Sequence, residues 1–289
     1  MVRHPFKLSL ITLLEKSNNN SIFDEDFIKF NFKSFNKKFD LILSDIAPNT
    51  TGHQSTDHLK ISSIIEEIIS ILGYISLPNS FHNEWIFRSI ELKKHVLVEK
   101  PLTLNIHDAQ NLLNLSDKHG VNLMVGHVML FHPAIISIKK LISEGKIGKL
   151  QYIYSNRLNL GQVRTEENVF WSFAPHDISI LQYFINKFPI KIHTSGGAFV
   201  QPNIYDTTLT MLEYPDNIKA HIYLSWLHPF KEHRIVVIGS KGMISFEDSL
   251  KNKPLIYYDK QYELIDNLPK KKDGLVEQIN YNMKLPPLE

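Results

Sequence analysis

Glu99-Lys100-Pro101 directly follows a short apolar run, Val96-Leu97-Val98. An ammonium at such a place can hold a hydroxyl group, stabilise a developing alkoxide and, if partly desolvated, trade a proton with it. Proline stops the strand from continuing. The same charges also suit an ordinary turn after a core strand. At the carboxyl end of a parallel strand, however, they would stand where open α/β sheets bind ligands. A second candidate is His176, next to Asp177 in Trp171-Ser-Phe-Ala-Pro-His-Asp-Ile178. Imidazole titrates near neutral pH and suits proton relay; the alternative is a helix-start histidine bonded to nearby backbone.

The surrounding pattern must supply the strand ends that position these groups. From Gly73 onward, strands and helices alternate. Strands are expected at Tyr74–Leu77, Val96–Val98 and Leu123–Gly126, and helices at Glu84–Lys93, Asn105–His119 and Pro133–Glu144, the last two ended by Gly120 and Gly145. This is the spacing of βαβ units in a parallel sheet. After Gly148, Leu150–Leu158, Ala220–Leu227 and Arg234–Ile238 alternate apolar and polar residues, as antiparallel strands with one exposed face do, and one helix is expected over Pro175–Lys187. Upstream, polar Asn/Lys-rich stretches surround a strand at Phe39–Leu43 and a helix running from Thr56 or Asp57 to about Leu72. The fold class expected is α/β plus α+β: an incomplete Rossmann-like parallel sheet followed by a mostly antiparallel sheet domain. The divisions fall at 1–72, 73–148, 149–260 and a polar, Lys- and Pro-rich tail over 261–289, expected to be poorly ordered.

Bulk properties narrow the function classes. The 289 residues are 43% hydrophobic, enough for a buried core. Thirty-two basic against thirty acidic side chains leave a formal charge of +2, which gives no electrostatic argument for nucleic acid. No run of about 18 apolar residues is present, so no membrane span is expected. Cysteine is absent, which removes disulfides and thiolate metal sites and agrees with a reducing compartment. Residues 1–14 lack the cleavage signature of a signal peptide, so the expected compartment is the cytoplasm. Fourteen histidines invite a metal, but none pair at His-Glu-x-x-His spacing, and His127 and His132 have no carboxylate close in sequence. No metal is expected.

The order and spacing of several segments carry a family resemblance. Leu77-Pro-Asn-Ser-Phe-His82, His95-Val-Leu-Val-Glu-Lys-Pro-Leu102, Met124-Val-Gly-His-Val-Met-Leu-Phe-His-Pro133, Trp171-Ser-Phe-Ala-Pro-His-Asp-Ile-Ser-Ile-Leu181 and Gly239-Ser-Lys-Gly-Met243 together resemble the Gfo/Idh/MocA family of NAD(P)-dependent sugar oxidoreductases. The resemblance covers residues 73 to about 260. It implies NAD or NADP as cofactor, a sugar or nucleotide-linked sugar as substrate, and a homo-oligomer formed through the antiparallel sheet. It gives Lys100 and His176 the catalytic roles, and it places Asn79, Glu99, Lys100 and His127 at the cofactor. Arg157, Asn159, Asn168, Trp171 and Asp177 become candidate substrate contacts, because sugar hydroxyls need fixed donors and an apolar platform.

A dinucleotide fold also needs a first βα turn of Gly-x-Gly-x-x-Gly type, where backbone approaches the pyrophosphate. The first glycine of this chain is Gly52, and no such motif occurs. Residues 39–61, with Ser44-Asp-Ile-Ala-Pro-Asn49, instead resemble a segment of FtsJ-type 2′-O-ribose methyltransferases of ribosomal RNA, in which Asp45 would belong to the catalytic set. A turn residue after a strand is the favoured reading of Asp45 alone. Two motif sets meeting near Ile71-Leu72-Gly73 suggest a composite chain. Three functions follow: an oxidoreductase impaired by loss of the glycine loop, a non-catalytic fusion remnant, or a methyltransferase fragment.

Overall fold

The computed structural model describes residues 11–14, 21–23, 41–43, 73–75, 79–165 and 167–281. The helix expected over 56–72, Asp45 and most of the methyltransferase-like segment lie outside the described residues. Two compact units divide between Gly126 and His127.

In the first unit, β1 (Ile11–Leu14), β2 (Ser21–Phe23) and β3 (Leu41–Leu43) form a small antiparallel sheet in the order β2-β1-β3. The strand expected around Phe39–Leu43 is therefore paired with β1. A separate parallel sheet contains β4 (Gly73–Ile75), β5 (Val96–Val98) and β6 (Leu123–Val125), with β5 in the middle. The helices α1 (His82–Glu91) and α2 (Ile106–His119) connect them as two βαβ units. On α1, Trp85, Ile86 and Ile90 are buried with Ile75, Val96, Val98 and Leu112 in one apolar core, while Glu84 and Arg88 pair at 2.7 Å on its outer side. Asn105 caps α2 by accepting the His107 N–H at 2.8 Å. Gly120 ends it at φ 65°, a left-handed turn for which glycine carries no Cβ penalty.

Among its described residues the second unit has two α-helices, α3 (Pro133–Ser143) and α4 (Val169–Ile185). Its eight strands are β7 (Leu150–Leu160), β8 (Lys191–Gly197), β9 (Thr207–Glu213), β10 (Lys219–Ser225), β11 (Leu227–Gly239), β12 (Met243–Glu247), β13 (Leu255–Ile265) and β14 (Leu268–Gln278). Their order is β14-β13-β12-β11-β7-β10-β9-β8, antiparallel except for β7 beside β10. The expected fold class therefore holds. Helix α3 belongs to this unit and not to the parallel one, because Ala134, Ile135 and Ile138 are buried in the same core as α4 and the large sheet. The boundary consequently falls about twenty residues before the one expected at 148.

The polar tail expected from 261 also differs. Residues up to 278 form the β13–β14 hairpin, turned by Asp266 and Asn267 at φ 56° and 60°. Two left-handed residues match the twist of flanking strands, and this two-residue signal overrides the lysine-rich composition.

Candidate active site

The tip of β5 is held by backbone on both sides. Glu99 donates its N–H to Ile75 O at 2.8 Å, and Gly126 donates to Val98 O at 2.7 Å. Glu99 and Lys100 thus leave the sheet at the carboxyl end of its central strand, the ligand-binding end of open α/β sheets. The Lys100–Pro101 peptide is cis. His82, the buried first residue of α1, bonds Pro101 O through Nδ1 at 2.7 Å. A carbonyl only accepts, so Nδ1 carries the proton. His82 thereby anchors the turn that bears Lys100. Asn79 opens the 3-10 turn that leads into α1. A Cβ at Gly126 would meet Glu99 Oε1 and Val98 O at 3.4 Å, an ordinary contact, which puts the Glu99 carboxylate next to the tip of β6.

The remaining candidates lie in the second unit. His127 is its first residue, and its carbonyl accepts the Leu130 N–H at 3.0 Å in a 3-10 turn. Helix α4 begins at Val169, six residues before the expected start, so His176 stands two turns inside it. The early start comes from Asn168, whose side chain accepts the Trp171 N–H at 3.1 Å. Burial of Val169 and Ala174 outweighs the backbone bond that Pro175 removes. Asn168, expected to contact substrate, is therefore a helix cap. Trp171 lies in the first turn of α4 and is 39% exposed, available as an apolar platform. Asn159 Oδ1 is buried with no hydrogen-bond partner among the described residues.

Arg157 and Asp177 do not fit their expected role as substrate contacts. Both are buried and bind each other: Nε to Oδ2 at 3.0 Å and Nη2 to Oδ1 at 3.2 Å. Ser155 Oγ donates to the same Oδ1 at 2.6 Å. The carboxylate of α4 is thereby fixed to two inward side chains of β7, one residue from His176. His233, paired with Arg157 across β11 and β7, has its pKa lowered to about 4 by burial first and by the Arg157 charge second. It is neutral near pH 7. Among the described residues no group of three His, Asp or Glu could hold a metal ion, and no helix is long and apolar enough to cross a membrane.

Comparison with known proteins identifies the lineage. Residues 47–127 match the NAD-binding Rossmann fold of the oxidoreductase family, and residues 135–245 match the GFO/IDH/MocA C-terminal domain. The chain belongs to the Gfo/Idh/MocA oxidoreductase family. It is 35% identical over 191 residues to the NADP(+) D-xylose 1-dehydrogenase of Haloarcula marismortui, covering 60% of this chain and 52% of that protein. It is 25% identical over 209 residues to the 2,7-anhydro-N-acetylneuraminate hydratase of Escherichia coli, covering 67% of this chain and 54% of the relative. The chain thus spans about half the length of these two curated relatives. An inositol dehydrogenase homolog from Azotobacter vinelandii, solved with NADH and myo-inositol, shares the fold at TM-score 0.61 and 18% identity, covering 75% of this chain and 61% of its own.

Membership in the Gfo/Idh/MocA family corrects one boundary. The Rossmann match begins at residue 47, upstream of the junction expected near Ile71-Leu72-Gly73, so it overlaps most of the methyltransferase-like segment. The described strand ends also suit the family's cofactor, NAD or NADP. Glu99 and Lys100 follow the tip of the central strand, and Gly126 follows the tip of its neighbour.

Proposed function

We propose that this chain oxidises a secondary hydroxyl of a sugar or nucleotide-linked sugar with NAD or NADP. The observation that carries the reading is Glu99-Lys100-Pro101 at the carboxyl end of the central parallel strand. When bound, the nicotinamide supplies the hydride acceptor. Oxidation of a secondary alcohol also requires loss of the hydroxyl proton, and that part falls to side chains. Lys100 would hold the hydroxyl oxygen and stabilise the alkoxide as it forms. His176 is the acid/base candidate, on a helix fixed by the Asp177–Arg157 pair. Glu99 and Asn79 would orient the ribose end, and His127 completes the proposed cofactor contacts. Asn159 and Trp171 are the substrate contacts that the geometry leaves open to a ligand, one through an unpaired acceptor and the other through an exposed indole.

The absent Gly-x-Gly-x-x-Gly motif argues for a weakened hold on the pyrophosphate, since that loop lets backbone N–H groups approach it. Fluorescence titration with NADH and NADPH is expected to show saturable binding, weaker than in a relative with the loop. No binding at about 1 mM, an affinity near the bottom of the useful range, would leave the non-catalytic remnant. Binding of S-adenosylmethionine in its place would revive methyl transfer.

The sheet face turned away from α4 supports a homo-oligomer. Inward Ser155 and Arg157 meet α4, so Tyr152 and Tyr154 point the other way. The Tyr154 ring stacks on His221 at 5.3 Å and 14°, and Tyr152 OH bonds His221 Nδ1. Leu209 and Met211 extend this face and are exposed. Light scattering should give a multiple of 33.5 kDa; the single-chain mass would remove this part of the reading.

A further inference from the structure

Between β8 and β9 the chain makes a loop, residues 198–205, that no motif singled out. Its rim is apolar and exposed, with Phe199, Val200 and Tyr205 all facing solvent. One residue closes it. Asp206 is fully buried, and its Oδ2 accepts the N–H groups of Phe199 at 2.7 Å and Val200 at 2.8 Å. Its own N–H donates to Gly197 O at 3.0 Å. Glycines at the end of β8 make room for the rim: a Cβ on Gly197 would strike the Phe199 ring, and one on Gly196 would come within 2.9 Å of Tyr205 Cδ1.

The attachments of this loop lead to the candidate substrate residues. Tyr205 O accepts the N–H of Val169, the first residue of α4, at 2.9 Å. That bond places the loop against the turn carrying Asn168 and Trp171. Gln201 Nε2 donates to Arg164 O. Asp206 O accepts the Trp226 N–H at 2.9 Å, and Trp226 O accepts the Gly161 N–H at 3.2 Å, two residues beyond Asn159. Loop, helix start and the residue after β7 are thus tied together by backbone bonds of Tyr205, Asp206 and Trp226.

We infer that the 198–205 loop is a wall of the substrate site and that Asp206 is its positioning residue. The wall presents rings to the C–H face of a pyranose or cyclitol, whose hydroxyls need the polar partners on β7. Two charge-assisted bonds from adjacent backbone N–H groups hold the loop in one conformation. This prepays the ordering that binding would otherwise cost. The inference rests on the oxidoreductase reading above and deepens it.

The test compares wild type, Asp206→Ala and Asp206→Asn by amide hydrogen exchange and by kinetics with D-xylose, myo-inositol and UDP-N-acetylglucosamine. In Asp206→Ala, the Phe199 and Val200 amides should exchange at least tenfold faster. KM for the sugar should rise about tenfold, with kcat within threefold and NADH affinity unchanged. Asp206→Asn keeps an acceptor oxygen for both amides and should restore most of the KM. A purely structural aspartate would lower the melting temperature of both variants without this split. Amides still protected in Asp206→Ala, or an unchanged KM with the loop released, overturn the inference. Exchange is also followed with NADH and each sugar. Sugar-dependent protection at 157–176 but not at 198–205 overturns this inference alone. A wild-type chain with no sugar-dependent protection anywhere overturns the oxidoreductase reading as well.

Discussion

Lys100→Met is expected to lower kcat/KM by roughly 10²–10⁴-fold, the range that a positioned acid/base group contributes. Methionine retains an unbranched stem of similar length, so packing at the turn changes little, while the ammonium is lost. The backbone around position 100 is independently secured by the Glu99–Ile75 bond and by His82 on Pro101 O. The melting temperature should therefore move by no more than a degree or two. NADH affinity should change only a few-fold, because Glu99 and the strand tips remain. The deficit should fall mainly on kcat, since the charge is needed most where the alkoxide develops. Lys100→Arg should recover little, because a planar fork cannot occupy the place of a compact ammonium. Full activity in Lys100→Met would remove the proposed role, and loss of folding in that variant would assign Lys100 to structure instead.

Much of the first unit was legible because its signals are local. A β-branched run, an Asn cap and a terminal Gly mark β5 and α2, and all three behave as their side chains dictate. The same local logic misplaced the start of α4. Pro175 resembles a first-turn proline, whereas the cap that counts is Asn168, seven residues earlier. It wins because Val169 and Ala174 find a core that only the folded sheet provides. Long-range partners were the least legible. Nothing near Arg157 in sequence shows that Asp177 lies beside it, and an arginine and an aspartate near a histidine read equally well as substrate ligands. Asp206 gave no signal at all, since an acidic residue between two strands is ordinary turn chemistry. Residues that act through distant backbone are visible only once the chain is folded.

The second large effect is expected at the Arg157–Asp177 pair. Asp177→Ala should destabilise the protein by about 3–5 kcal/mol, the usual cost of leaving one member of a buried pair uncompensated. Arg157 is buried, and the removed carboxylate accepts two of its N–H groups and the Ser155 hydroxyl. In a unit of this size that corresponds to a melting point lower by roughly 10 °C. Replacing both charges, Arg157→Met with Asp177→Leu, should recover most of the loss, because an apolar pair of similar volume carries no desolvation cost. A double variant as unstable as the sum of the singles would show that the two act independently. His233 offers a second readout. Its folded pKa of about 4 lies below the ordinary 6.5, so between those values the unfolded chain binds the proton and stability falls as pH drops from 6.5 toward 4. Burial is the larger cause and would persist in Arg157→Met, but the neighbouring positive charge would be gone. The His233 pKa should therefore rise toward 6.5 in that variant, and the acid-side loss of stability attributable to this imidazole should shrink. An imidazole titration followed by NMR that gives the same pKa in both proteins would mean that the Arg157 charge does not reach His233, and that burial alone keeps it neutral.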